Sequence, residues 1–348
     1  MRTRFLLVMI LCAVVGWRAT ALAADDSSGR VVAAAVDRRG EEQTFLTFPE
    51  WFLVFSPAEY AEFVRTHNPD EFCFWGHIGQ LWSAYGQVIH QTRARNEPTN
   101  WGYHVMIMVI GVSTTVEYAI RSAYEQLIGR ISGAPSGGRT AEDDFAAQVA
   151  QQYVDFIRVH PWYEFDFTAR LKRLWTQTSL LGPHPLRKLE RRYALTTEYL
   201  VKGIYGKIIE KATHTAYEKP ILTTSVVASR WPACEELPPD IAMVSQPKEN
   251  EALLALPRYQ DFMAAATALA KCGADFQEIA GNHGVILVSA LGPLGQAPPA
   301  DTEVMIRQPI ITQPGREREV LVIPVTKLAT VLRGLSAQRL ALEHIFDY

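Results

Sequence analysis

The chain has 348 residues, of which 48% are hydrophobic and 20% are charged, and its formal net charge is −3. This composition is typical of a folded globular protein and excludes collagen-like, disordered and polytopic membrane chains. The slight acidity implies no strongly basic surface, so nucleic acid is not an expected partner.

The N-terminal residues have the pattern of an export signal. Two arginines precede an apolar stretch over residues 5–16, and Ala21-Leu22-Ala23 offers small residues for cleavage. The apolar stretch is too short for a comfortable membrane span. We therefore predict a Sec-type signal peptide over residues 1–23, a linker over 24–44, and a periplasmic or secreted protein of the cell envelope. An uncleaved N-terminal anchor is the alternative.

Export affects how the cysteines are interpreted, because an oxidising compartment permits disulfides. Cys234 and Cys272 lie in the same C-terminal region and are the predicted pair. Cys73, between two phenylalanines, is predicted to be a small buried hydrophobic residue. The alternative is three free thiols. The sequence has no CxxC spacing, which disfavours haem attachment and a zinc ribbon.

Two pairs of segments repeat within the chain. YAEFVRTH at 60–67 matches YVDFIRVH at 153–160, and TVEYAIRSAYEQLIGR at 115–130 matches TTEYLVKGIYGKIIEK at 196–211. Such self-similarity indicates an internal duplication. We predict a pseudo-twofold, all-α domain over residues 45–219, built from two helical hairpins with units at about 45–131 and 140–219.

Sequence signals locate several of these helices. Ser56-Pro57-Ala58-Glu59 resembles an N-cap with a proline at the first helical position, and Thr140 opens a second capping sequence. The uncharged run Val105–Val116 is shorter than the ~20 residues of a membrane span, so we predict a buried core helix there and keep a membrane helix as the alternative. Residues 187–219 hold eight Lys/Arg and four Glu, a pattern that suits either a solvated face or a basic helix on anionic lipid.

Four polar pairs recur between the two units. A carboxylate in an apolar helix must be paired, hydrogen-bonded, metal-bound or protonated, which makes the glutamates the most informative pair. The candidate polar cluster consists of Glu117, Glu198, His67, His160, His104, His184, Arg65 and Arg158.

Two chemistries fit this cluster. Glu117, Glu198, His104 and His184 are candidate ligands of a divalent metal, as in di-iron or di-manganese helical bundles, although the Glu-x-x-His spacing of those sites is absent. Alternatively, the arginines pair with the glutamates, and the histidines, which follow a glycine near a helix start, act as caps. The motifs HExxH, GxSxG, GxGxxG and the P-loop are also absent.

The composition changes after Pro220. Strands are predicted at 222–229, 276–280, 285–291, 303–311, 320–325 and 342–346, with helices at 259–272 and 327–335. Gly281-Asn282-His283-Gly284 is predicted to turn one hairpin, and Pro314-Gly315 a second. This order suggests a ferredoxin-like α+β sandwich over residues 220–348. His283 and His344 are expected to be surface or packing residues.

The predicted function is that of a non-catalytic envelope protein that binds a protein or a small-molecule ligand. One alternative is a metal-dependent enzyme with a His/Glu site in the helical domain. Another is a membrane-peripheral protein that docks through the basic helix at 187–219. A fold of this class hosts many functions, so fold alone decides none of these.

Overall fold

The computed structural model describes residues 41–133, 138–179, 181–216, 222–230, 240–248 and 250–346. The predicted signal peptide over residues 1–23 lies outside the described residues, as does nearly all of the predicted linker. The last residues of that linker, 41–44, already belong to the first helix.

The N-terminal part of the described chain is helical. Its helices are α1 (Glu41–Phe63), α2 (Phe74–Ala94), α3 (Trp101–Tyr124), α4 (Ala141–Ile157), α5 (Phe167–Gln177) and α6 (Pro185–Ala216). A short 3-10 turn precedes both α2 and α5. The helix α3 continues through a π-helical segment, Glu125–Gly129, into a last turn that ends at Gly133. The order long helix, 3-10 turn, helix, long helix therefore occurs twice.

The two predicted helix starts have different outcomes. Thr140 caps α4, since its hydroxyl accepts a hydrogen bond from the Asp143 amide and the Asp143 carboxylate accepts one from the Thr140 amide. The start predicted at Ser56 is wrong, because α1 already runs through Ser56 and Pro57. Buried residues such as Phe48 and Phe52 precede Ser56, so packing extends the helix upstream.

The C-terminal part forms two four-stranded antiparallel sheets. Its strands are β1 (Thr223–Ser229), β2 (Ala242–Lys248), β3 (Glu251–Pro257), β4 (Asp275–Ile279), β5 (Val285–Pro293), β6 (Glu303–Pro309), β7 (Arg316–Pro324) and β8 (Ala341–Ile345). The first sheet has the order β2-β3-β1-β4 and the second β6-β7-β5-β8. The helix α7 (Gln260–Lys271) precedes β4, and α8 (Leu328–Gly334) precedes β8. A helical region followed by α+β sheets confirms the coarse fold class.

Both sheets have the same connectivity: three strands, a helix and a fourth strand that pairs with the first. The predicted β6–β7 hairpin is confirmed. The predicted hairpin around Gly281–Gly284 is wrong, because β4 pairs with β1 in one sheet while β5 pairs with β7 and β8 in the other. Only a single bridge, Ile279 to Asn282, remains at that turn.

One core joins the helical region to the sheets. Phe45, Leu46, Phe48 and Phe55 of α1 belong to the same buried cluster as the inward-facing residues of both sheets. The helix α1 lies on the second sheet, where Phe48 contacts Phe346 and the Arg318 guanidinium lies 4.4 Å from the Phe55 ring centroid. The helical region is thus anchored on the sheets through α1.

Candidate functional site

Two aromatic clusters with matching geometry lie in the two halves of the helical region. Tyr60 packs edge-on against Phe72 at 5.0 Å between ring centroids, and Tyr153 packs in the same way against Phe165 at 5.3 Å. The Phe72–Phe74 and Phe165–Phe167 pairs are both at 4.9 Å. These rings position the charged residues between the halves.

A cation lies over each aromatic cluster. The Arg121 guanidinium of α3 is 4.4 Å from the centroid of the Tyr60 ring. The Lys202 ammonium of α6 is 5.5 Å from the centroid of the Tyr153 ring. Each cation is thereby held on the aromatic rings of its own half, by the attraction of a cation to the ring face.

Glu117 and Glu198 lie together between these two cations. The Lys202 Nζ atom is 2.9 Å from Glu117 and 3.0 Å from Glu198, and Arg121 Nη1 is 3.8 Å from each carboxylate. Burial would raise the pKa of Glu198, but the charges of Arg121 and Lys202 outweigh it and hold that pKa at about 2. We call these four residues the central cluster; it is an ionised, mutually neutralised group.

A second ionic network lies further along the same helix pair. Arg191 of α6 forms paired hydrogen bonds to the Glu125 carboxylate at 3.1 and 2.8 Å, and it also binds Glu190. Arg187 donates to Asp143 at 2.9 Å and to the Gly129 carbonyl at 3.0 Å. All of these side chains are buried. Bidentate geometry of this kind is needed for buried ion pairs to recover the cost of desolvation.

The network shows that α3 and α6 are antiparallel neighbours. Glu117 pairs with Lys202 and Glu125 with Arg191, so residue numbers rise along α3 as they fall along α6. The start of α6 therefore places its basic residues inward. Arg187, Lys188, Arg191 and Arg192 are all buried, so these four residues do not contribute to the basic surface that the sequence suggested for residues 187–219.

The outward side of this helix pair is apolar instead. Ile107, Gly111, Tyr118 and Ser122 of α3 are buried, and the opposite side of that helix is exposed. We define the apolar face by its exposed residues on the two helices: Val105, Met106, Met108, Val109, Val112, Val116, Ile120, Leu127, Ile128, Ile131, Leu186, Leu189, Tyr193, Leu200, Val201, Ile204, Tyr205 and Ile208.

The prediction of a buried core helix at Val105–Val116 is therefore wrong. Within the described part of the chain, one helix, Trp101–Gly133, is long and apolar enough to cross a membrane. Its most apolar window of 18 residues has a mean hydropathy of 1.3, and only 17% of that window is buried. The sequence correctly indicated that this helix is hydrophobic. It did not indicate that most of the hydrophobic side chains are exposed.

The predicted histidines are dispersed. His67 and His160 each lie against the phenylalanine four residues earlier, at 4.4 and 4.8 Å between ring centroids. The His104 Nδ1 atom is 2.8 Å from the Tyr85 hydroxyl. His184 precedes α6 with a φ of 59°, and its carbonyl accepts the Lys188 amide.

The predicted arginines also lie apart from the glutamates. Arg65 pairs with Glu62 and Arg158 with Asp155, each within its own helical segment. His67 lines a cleft together with Tyr60, Arg121 and Glu198.

The four candidate metal ligands are not brought together. His104 and Glu117 are 13 residues apart along one helix, a distance of about 20 Å at the 1.5 Å rise per residue. Among the residues that the structure describes, no group of three or more His, Cys, Asp or Glu side chains is placed to hold a metal ion. The cations that neutralise the glutamates are Arg121 and Lys202.

A hydroxyl, an imidazole and a carboxylate lie close together at a second place, where α1 packs against α2 and α3. Ser56 Oγ is 2.9 Å from His77 Nδ1 and 2.7 Å from the Tyr118 hydroxyl, and His77 Nε2 is 3.7 Å from Glu59. Burial lowers the pKa of His77 to about 4, with a smaller contribution from the Arg318 charge. All four side chains are buried, so a substrate carbonyl has no access to Ser56. Their arrangement holds α1, α2 and α3 together.

The remaining predicted residues lie in the C-terminal part or at the start of α2. Cys73 is exposed with a free thiol, so the prediction of a buried residue is wrong. Cys272 is disulfide-bonded, whereas Cys234 lies outside the described residues, and their pairing stays a prediction. His283 Nε2 is 3.3 Å from Glu278. His344 is buried and stacks on Trp51 at 3.5 Å.

Comparisons with known proteins give no relative: no family model, curated protein or solved structure matches the chain. The geometry of the described residues is therefore what bears on function. Its most unusual feature is the contrast between buried charges and an exposed apolar face on the same two helices.

Proposed function

We propose that this is a non-catalytic, exported protein of the cell envelope that is held at a lipid bilayer by its apolar face. The observation that carries the proposal is the exposure of that face, along two neighbouring helices, while the arginines of α6 are buried. Contiguous exposed apolar surface beyond a few hundred Å² marks an interaction site. The helix pair accordingly supplies the binding surface.

Covering the apolar face is energetically significant. Burying one Val, Leu or Ile side chain is worth about 1.5–3 kcal/mol, and these residues are already partly shielded by their neighbours. Even at about half that value each, the residues of the face together supply more than 10 kcal/mol. That is sufficient for stable association of a folded protein with a membrane surface.

The width of the apolar face favours lipid over a second copy of the chain. At 100° per residue, the exposed apolar residues of α3 between Val105 and Ile120 cover roughly 160° of its circumference. A helix–helix seam between copies uses a narrower stripe of two positions in seven. A bilayer covers the whole sector, whereas a partner helix would leave part of it in water.

The mode of docking differs from the one that the sequence suggested for residues 187–219. Electrostatic attraction to anionic lipid requires exposed basic residues, but Arg187, Arg191 and Arg192 are engaged in ion pairs. Lys207 and Lys211 remain exposed near the end of α6. Apolar insertion is therefore the main contribution, and the binding should depend little on salt.

We also propose that the helical region is an internal duplicate related by an approximate dyad. The matched aromatic clusters, the Arg121 and Lys202 cations above them and the shared central cluster support this. Trp82 and Trp175 each donate to a threonine of the following long helix, at 2.9 and 3.1 Å. The dyad would run through the central cluster and present α3 and α6 equivalently to the bilayer.

The role proposed for the C-terminal region, residues 220–348, is to bind a protein or a small ligand in the aqueous phase. A ferredoxin-like sandwich has one sheet, whereas this region has two sheets, each with one helix between its third and fourth strands, so the likeness extends only to the α+β class. Export through the predicted leader would place this region in the periplasm or outside the cell.

Vesicle flotation tests membrane docking. The purified chain should float with phosphatidylcholine vesicles at both 0.1 and 1 M NaCl. The double variant Val112→Asp/Val116→Asp should lose most of this binding, because carboxylates on the face oppose insertion. The matched control Ser83→Asp/Gln87→Asp changes exposed residues of α2 and should bind like the wild type.

Two results would contradict the proposal. One is a wild-type chain that stays monomeric and soluble without detergent and does not float. The other is undiminished flotation of the Val112/Val116 variant. A soluble dimer that does not bind vesicles, and that the same two substitutions disrupt, would show that a second copy of the chain covers the apolar face.

A further inference from the structure

We infer that α3 and α6 lie in the plane of the membrane and enter one leaflet only, and that neither helix crosses it. This inference rests on the proposed docking of the apolar face and specifies how it occurs. Length and hydropathy alone would permit α3 to span the bilayer, since Trp101–Gly133 has 33 residues. The contacts of its inner side argue otherwise.

Charged and apolar residues occur at the same level along each helix. Leu127 and Ile128 are exposed, while Glu125, one turn away or less, is bonded to Arg191 on the inner side. In a spanning helix, depth in the membrane is set by position along the axis. A vertical α3 would therefore bring Glu125 and Arg191 to the depth of Leu127, where ion pairs are costly.

An in-plane orientation separates these two groups. The depth of each side chain is then set by its position around the helix axis. The apolar side therefore points into the leaflet and the ionic side points away from it. The helix diameter of about 10–12 Å allows the apolar side to enter ~5–10 Å while the ion pairs remain above the hydrocarbon. The same orientation suits α6, where Leu189 and Tyr193 are exposed and Arg191 is buried.

The rest of the helical region also prevents a crossing. Tyr118 of α3 is bonded to Ser56 and packs at 5.4 Å against Phe74, so α1 and α2 cover the inner side of α3. Both are attached to the second sheet, since Arg318 of β7 binds Glu59 of α1 at 3.0 Å and Gln80 of α2 donates to the Pro309 carbonyl of β6 at 2.7 Å. Lipid could surround α3 only if this side of the core came apart.

The ionic residues have a specific role in this arrangement. Lys202 binds both Glu117 and Glu198, and Arg191 binds Glu125, so two separate ion clusters fix α3 and α6 as an antiparallel pair. The two helices then enter the leaflet as one rigid platform. This doubles the apolar area that a single amphipathic helix would insert.

Cysteine labelling on vesicles tests the orientation. In a Cys73→Ser background, single cysteines replace Gly102 and Arg130, at opposite ends of the long helix and both exposed, and Val112 on the apolar face. A membrane-impermeant maleimide is added to protein bound to preformed vesicles. We expect Gly102→Cys and Arg130→Cys to respond alike to vesicles, at rates that lysis of the vesicles leaves unchanged, because both ends then lie on the same side of the membrane, and we expect Val112→Cys to be protected at least fivefold.

Two outcomes would overturn the inference. Protection of only one end of the helix, relieved when the vesicles are lysed, would show a spanning helix. Labelling of Val112→Cys at the same rate with and without vesicles, in protein that floats, would show docking through another surface. Absence of flotation is a separate result, which contradicts the proposed function itself before any labelling is done.

Discussion

Glu117 and Glu198 show how far residue types alone can predict a cluster. A carboxylate in an apolar helix needs a partner, and the recurrence of both glutamates indicated a shared environment. The structure places them on the same two cations, Arg121 and Lys202, each four residues after a glutamate in its own helix. That i,i+4 spacing was visible in the sequence, but the cross-helix pairing of Lys202 with Glu117 was not.

The acid stability of the protein should depend on Glu198. Its pKa lies at about 2 in the folded chain against a reference value of 4.5, so it contributes stability above pH ~4.5 that is lost as pH falls towards 2. About a quarter of the side chain is exposed, so we expect a contribution of about 2 kcal/mol. Urea denaturation of Glu198→Gln should show that loss at pH 7 and a flatter profile between pH 4.5 and 2.

Glu62→Gln is the matched control for this prediction. Glu62 pairs with Arg65 on the surface, where both side chains are more than half exposed. Exposed pairs contribute little, so its pH profile should follow the wild type. A Glu198→Gln variant with an unchanged slope below pH 4.5 would show that the central cluster does not stabilise the ionised carboxylate.

The histidines recur for a different reason from the one that the metal hypothesis assumed. His67 and His160 follow Phe63 and Phe156 by four residues, and each imidazole lies against that phenylalanine at the end of a helix. Residues that recur between two similar segments reflect shared packing as well as shared chemistry. Spacing along the chain does not distinguish packing from metal binding. The three-dimensional distance between the two histidines does.

At the scale of elements, α6 shows where charge counting fails. Its first turns read as a basic surface because the sequence has arginines at 187, 191 and 192 with one nearby glutamate. Their other acidic partners, Glu125, Glu142 and Asp143, come from the π-helical segment after α3 and from the start of α4. Long-range partners of this kind cannot be deduced from composition, whereas the helix itself could be predicted.

Gly129, in the π-helical segment at the end of α3, leaves room for the buried ion pair of Glu125 and Arg191. A Cβ atom there would collide with the Glu125 carboxylate and lie 3.3 Å from the Arg191 guanidinium. We expect Gly129→Ala to lower the free energy of unfolding by about 1–3 kcal/mol, because the buried ion pair must shift. The measurement is the midpoint of urea denaturation.

Gly79→Ala provides the control for this prediction, since Gly79 lies on the exposed side of α2 with no atom within 4 Å of its Cβ position. Replacing a helical glycine by alanine without contacts should stabilise the chain by about 0.5–1 kcal/mol. The two substitutions are thus expected to have opposite signs. Equal effects would mean that the packing of Gly129 against Glu125 has no energetic consequence.

At the scale of the whole molecule, the repeated connectivity of the two sheets was not visible in the sequence. Equivalent backbone bonds nevertheless recur: the Ala274 amide donates to Leu269 and the Leu340 amide to Leu335, both at 3.1 Å. The residue before each donor has positive φ, 94° at Gly273 and 58° at Arg339. The residue types at these positions differ, so matching the sequence against itself indicated a repeat in the helical region and gave no sign of this similarity.

The continuous core also bears on the predicted boundary between residues 45–219 and 220–348. Individual strands after Pro220 could be predicted from alternating patterns and turn residues. What alternation could not show is that α1 packs on the second sheet, since the partners are separated by almost the whole chain. Phe48 contacts Phe55 within α1 and Phe346 after β8, and so belongs to both parts.

We therefore expect the chain to unfold as one unit. Residues of α1 and of both sheets share a core, so neither part can lose its packing without exposing the other. Differential scanning calorimetry should show a single transition, and Phe48→Ala, which should cost about 3–5 kcal/mol, should move that transition as a whole. Two resolved transitions, with only one of them shifted by Phe48→Ala, would instead show independent domains joined at α1.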